Sequence, residues 1–170
     1  MKQIDNLLIF LVDDDIMFLR SLEHSIHQFF KNSKVVSFST GEECLNNMYQ
    51  KPDIILLDYK LNGNYPKAMD GLKVLDKVKS AEPEIPVIMF SGQDHMDVAI
   101  DTMKHGAFDY IVKNERLFVR VQNGIKNVLH RFALQEDMDE YKFKTKISML
   151  ILTLIFAGVM YLQTHFRIFM

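Results

Sequence analysis

The chain has 170 residues, 48% apolar and 25% charged, enough to bury a core of ordinary size and too apolar for a disordered tract. Its formal net charge of −2, with no basic stripe before Lys142, disfavours nucleic acid as a partner. The single cysteine, Cys44, cannot close an internal disulfide, which suits a reducing compartment and a plain packing role.

In chain order, Asp5 comes early and the run Leu7–Val12 is too short for the hydrophobic part of a signal peptide. That run instead reads as a strand buried on both faces. Ile16, Leu19, Leu22, Ile26 and Phe29/Phe30 then recur at helical spacing until Lys31-Asn32-Ser33. Lys34–Phe38 is a second strand, and Thr40 followed by Glu42 and Glu43 is an N-cap with acidic residues in the first turn. Ile54–Leu57 is a third strand. Leu72, Val74/Leu75 and Val78 mark a helix that stops before Pro83. Val87–Phe90 is a fourth strand, and Val98, Ile100 and Met103 mark a helix closed by Gly106 at the C′ position. Phe108–Val112 is a fifth strand. No Gly or Pro occurs between Ile125 and Ala157, so the final helix can run on into Ile147–Phe166, which carries no formal charge.

Alternating strands and helices predict an α/β fold, a doubly wound parallel sheet with helices on both faces. In such sheets ligands sit beyond the carboxyl ends of the strands. The first strand ends in Asp13-Asp14-Asp15, the third in Asp58, the fourth in Ser91-Gly92 and the fifth in Lys113. Any one of these alone reads as a solvated turn residue. Together they occupy four of five strand ends, which favours a site. Converging carboxylates repel one another, and a hard divalent cation such as Mg²⁺ relieves that repulsion. A lysine and a hydroxyl opposite would hold the oxygens of a phosphoryl group.

The stretches Leu11–Asp15, Asp53–Asp58, Met69–Leu72, Val87–Gly92 and Phe108–Lys113 resemble, in order and spacing, the response-regulator receiver domain over about residues 5–132. The resemblance implies a flavodoxin-like five-stranded sheet in the order 2-1-3-4-5. It implies that Asp58 is the phosphoacceptor, attacking the phosphohistidine of a sensor histidine kinase or a histidine phosphotransfer protein. It further implies that Asp14 and Asp58 bind Mg²⁺ directly, Asp13 mainly through water, and the Lys60 carbonyl completes the protein ligands. Lys113 would pair with a phosphoryl oxygen, and Ser91 would donate its hydroxyl to another. Tyr110 takes the aromatic switch position, with plain packing on the strand as its alternative. The output surface would include Met96, Lys104, His105 and Arg116. Asp15 matches no metal position and starts the first helix. The chain departs from the family in a longer segment Leu61–Met69, in Asn114 where proline is usual, and in Lys60 and Gln93 at the positions that tune dephosphorylation.

Residues 133–146 read as a helical linker and residues 147–166 as a transmembrane helix of about the right length to span the hydrocarbon core. A packed dimerisation helix is the soluble alternative, and a homodimer within the membrane is left open. Lys142, Lys144 and Lys146 precede the segment, which places the receiver in the cytoplasm. With no room between Lys113 and the tail for a helix-turn-helix or catalytic domain, the expected function is not enzymatic beyond self-phosphorylation and autodephosphorylation. It is a membrane-tethered switch whose phosphorylation alters binding of an effector protein. A phosphate sink or relay, and a phosphate-independent membrane scaffold, are the alternatives.

Overall fold

The computed structural model describes residues 7–61, 68–92 and 96–168, with side chains described to residue 163. The chain divides into two units, residues 2–129 and residues 130–170.

In the first unit strands and helices alternate: β1 Leu8–Val12, α1 Ile16–Phe29, β2 Lys34–Phe38, α2 Gly41–Asn46, β3 Ile54–Asp58, α3 Gly71–Ala81, β4 Val87–Ser91, α4 Met96–Lys104 and β5 Asp109–Val112. A 3₁₀ turn at Met48–Gln50 separates α2 from β3, and α5 Leu117–Ile168 follows β5. All neighbouring strand pairs are parallel, in the order β2-β1-β3-β4-β5. The expected doubly wound fold is therefore the fold observed. The ladder extends β3 through Asp58 and β4 through Ser91, and β5 starts at Asp109 rather than Phe108. Each apolar run thus carries its polar residue to the edge of the sheet.

Every residue of β3 and β4 is buried, as expected of central strands covered on both faces. Successive side chains point to opposite faces. Phe10, Val12, Ile55, Leu57, Val87 and Met89 join Phe38, Cys44, Val74, Leu75 and Val78 in a core beneath α2 and α3. Removing each such side chain from water stabilises the fold by about 1.5–3 kcal/mol. On the other face Gly124 of α5 lies against Ile88 and Ile111.

The helix signals operate as their chemistry requires. Asp15 caps α1 by accepting from the Met17 and Phe18 N–H groups, and Thr40 caps α2 by accepting from Glu43 N–H. Asn114 accepts from Arg116 N–H as the chain enters α5, so it does turn work where proline is usual in the family. At the end of α4, Gly106 has φ 90°, Ala107 N–H donates to the Thr102 carbonyl and Gly106 N–H to that of Met103. That pair of bonds is the Schellman stop.

In the second unit Phe132 and Ala133 are half-buried, and every described side chain from Leu134 to Gln163 is exposed. The helix contains a stretch long and apolar enough to cross a membrane, none of it buried within the protein.

Candidate functional site

The strand order reverses between β1 and β3, and the residues just beyond those strands face one crevice. Val12 is in register with Leu57, Asp58 with Phe90, and Ser91 with Val112, so the strand ends stay level to within about two residues. Asp13 leaves β1 with its N–H donating to the Phe38 carbonyl, and Lys113 leaves β5 with its N–H donating to the Ser91 carbonyl. Sheet hydrogen bonds thereby set the position of both backbones before any side-chain contact is counted.

The side chains converge. The Lys113 ammonium lies 2.5 Å from Asp13 Oδ2 and 2.7 Å from Asp58 Oδ1. Asp13 Oδ1 accepts from Asp15 N–H, and Asp58 Oδ2 accepts from Lys60 N–H, each at 2.9 Å. Asp13 and Asp58 are almost wholly buried, at 1% and 4% exposure, whereas Asp14 is half-buried at the rim. One carboxylate oxygen from each of Asp13, Asp14 and Asp58 lies within 4.8 Å of the others.

Burial, reinforced by the Asp58 charge, raises the Asp13 carboxyl from 3.8 to about 6, against the opposing pull of Lys113. Burial works to lower the Lys113 pKa, but Asp58 and then Asp13 outweigh it and hold the ammonium above the ordinary lysine value. Three carboxylates against one ammonium leave excess negative charge in a set of hard oxygen donors. That donor set fits a hard divalent cation such as Mg²⁺.

Ser91 is buried at the end of β4, beside this cluster in the sheet order. Tyr110 is 9% exposed and belongs to the core beneath α3, while its carbonyl accepts from Arg120. Lys60 is exposed and enters the site through its backbone N–H to Asp58. Met96 at the start of α4, Lys104 and Arg116 are exposed, and half-exposed His105 meets Asp76 of α3 at 2.6 Å. Residues 62–67 of the long segment and Gln93 lie outside the described residues. The Cys44 thiol is buried and pushed up to about 12 by burial, which makes it unreactive.

Two residues enter the site to which the sequence alone gave no role there, although Gly71 lies within the Met69–Leu72 motif. Gly71, at the start of α3, donates its N–H to the Tyr59 carbonyl, and a Cβ there would stand 2.0 Å from the Asp58 carbonyl oxygen. The signal available was a glycine directly after a capping Asp70, which reads as an ordinary helix start. Phe18 of α1 places its ring 4.3 Å from the Lys113 ammonium. It was not among the periodic apolar positions read for α1, and nothing near it in sequence hinted at a charged neighbour.

Residues 9–122 match the family profile described as the response regulator receiver domain. The chain is 34% identical over 91 residues to the regulatory protein LuxO of Vibrio vulnificus (strain YJ016), covering 51% of this chain and 19% of that protein. It is 32% identical over 107 residues to the DNA-binding transcriptional regulator NtrC of Escherichia coli (strain K12), covering 62% of this chain and 21% of that protein. It thus spans about a fifth of the length of these relatives. Among solved structures, a response regulator receiver domain protein from Clostridium thermocellum superposes with a TM-score of 0.66 at 26% identity, over 76% of this chain and 98% of the other. The order of the sheet, the acid crevice and the matching profile over most of the chain agree: this chain belongs to the response-regulator receiver family, as a two-component receiver domain.

Proposed function

We propose that Asp58 accepts a phosphoryl group from the phosphohistidine of a sensor kinase or histidine phosphotransfer protein, and that the phosphorylated domain signals by changing its affinity for a partner protein. The observation that carries this reading is the Lys113 ammonium bridging buried Asp13 and Asp58 in an acidic crevice at the switch point of the sheet. In the transfer, an Asp58 oxygen attacks phosphorus and the P–N bond to the donor imidazole breaks. The electron pair leaves with the ring nitrogen, which takes up a proton.

Asp13, Asp14 and Asp58 would hold Mg²⁺, with the Lys60 carbonyl as a further ligand. When bound, the ion supplies positive charge to the phosphoryl oxygens. Lys113 exchanges its carboxylate contacts for a phosphoryl oxygen, and the Ser91 hydroxyl donates to another. Tyr110, on the strand that ends in Lys113, is the element we assign to reporting that exchange toward α4 and the start of α5. The chain performs no turnover on a separate substrate; its chemistry is self-phosphorylation and autodephosphorylation.

The apolar helix at residues 147–166 is proposed to anchor the protein in a membrane with the receiver on the cytoplasmic side, supported by its length, its exposure and the Lys142, Lys144 and Lys146 series before it. DNA binding is not carried over from NtrC, because the match covers 21% of that protein. Incubation of the purified chain with a small acyl-phosphate donor and Mg²⁺ tests the acceptor directly. Wild type is expected to be labelled and Asp58→Asn to remain unlabelled; equal labelling of the two overturns the assignment.

A further inference from the structure

The Lys113 ammonium has a third neighbour besides its two carboxylates, the face of the Phe18 ring, with the nitrogen 4.3 Å from the ring centroid. The backbone and the ring of Phe18 are each held by a neighbour. Its backbone N–H is held by Asp15 Oδ1 at 3.1 Å in the first turn of α1. The ring also packs edge to face with Phe90 of β4, with centroids 6.1 Å apart and planes at 78°. Phe90 is fully buried and directly precedes Ser91. Phe18 therefore contacts both a buried strand residue and the ammonium that bridges Asp13 and Asp58.

An aromatic face attracts a cation through its quadrupole while offering neither a formal charge nor a lone pair that a proton or metal ion could capture. A carboxylate or amide in the same place would add to the negative cluster or compete for Mg²⁺. We infer that Phe18 is a positioning residue for phosphoryl transfer: its ring holds the Lys113 ammonium over the crevice while that group exchanges Asp13 and Asp58 for the oxygens of the incoming phosphoryl group. An aliphatic side chain of similar size fills the space but leaves the ammonium free to follow whichever carboxylate is closest. The inference rests on Asp58 as the acceptor, yet the contact itself can be observed without phosphorylation.

The test compares wild type with Phe18→Leu, Phe18→Met and Phe18→Tyr in the full chain. The first readout is the proton shift of the Lys113 ε-methylene, measured by NMR without any phosphodonor. Ring current should move it upfield in wild type and Phe18→Tyr, and the displacement should vanish with Leu and Met. The second is the labelling rate from a small acyl phosphate at saturating Mg²⁺. The Leu and Met variants should be slower by about 3- to 10-fold, the size of a partly desolvated cation–π contact, and Tyr should lie within about twofold of wild type. Mg²⁺ affinity should be unchanged in all of them. Lowered melting temperatures with labelling rates and Lys113 shifts like those of wild type would reduce Phe18 to packing and overturn the inference. Failure of wild type to label, with the upfield shift present, would overturn the acceptor reading while leaving the contact in place.

Discussion

At Asp13, stability and chemistry pull in opposite directions. The carboxyl titrates at about 6 in the folded protein against 3.8 for an ordinary aspartate, chiefly because it is buried and secondly because Asp58 is close. The folded state therefore holds a proton over a range in which the unfolded chain has released it. By linkage, this group's contribution to stability falls as the pH rises from 3.8 to about 6, and above that the metal-free protein carries the whole penalty. Asp13→Asn should thus unfold at higher denaturant in EDTA at neutral pH, by about 1–2 kcal/mol. The same variant should lose most of the stabilisation that Mg²⁺ gives wild type. A less stable variant in EDTA would show that the Lys113 pair outweighs burial. Asp13, Asp14, Asp58, Ser91 and Lys113 were legible in the sequence because each directly follows or ends an apolar run. Their pairing was not, since Lys113 and Asp13 are 100 residues apart and meet only once the sheet has formed. The Phe18 contact was hidden for the same reason.

At the scale of elements, the acceptor's position depends on how closely α3 starts against β3. A methyl group on Gly71 would come 2.0 Å from the Asp58 carbonyl oxygen and 2.9 Å from Tyr59 Cα, so either the helix or the strand end must move. Neither neighbour is a flexible side chain. Gly71→Ala should cost about 2–4 kcal/mol in chemical denaturation and should slow Asp58 labelling in the fraction that folds. Stability and labelling like those of wild type would show that α3 can shift freely. Caps at Asp15 and Thr40 and the stop at Gly106 were readable because their chemistry is local. The end of α2 was not. It passes into a 3₁₀ turn and closes at Lys51 with φ 54°, a left-handed position that no Gly or Asn announces.

At the scale of the whole molecule, strict alternation of strands and helices was enough to give a doubly wound sheet, and the five motifs supplied its order. The length of the last helix and its lack of charge were legible, and its want of a polar face is what motivates the proposed membrane anchor. Alkaline carbonate extraction followed by flotation should leave the full chain with the membranes, and a chain ending before residue 147 should be released. Recovery of the full chain in the soluble fraction would contradict the anchor and favour a packed helix. None of this bears on the nucleophile, which is the centre of the account. The most direct measurement there is chemical trapping: phosphorylate the full chain with Mg²⁺ and a small acyl phosphate, reduce with borohydride, and sequence the peptides. The expected result is homoserine at position 58 and at no other aspartate. Homoserine at Asp13 or Asp14, or none anywhere in a protein that binds Mg²⁺, would contradict the assignment of Asp58.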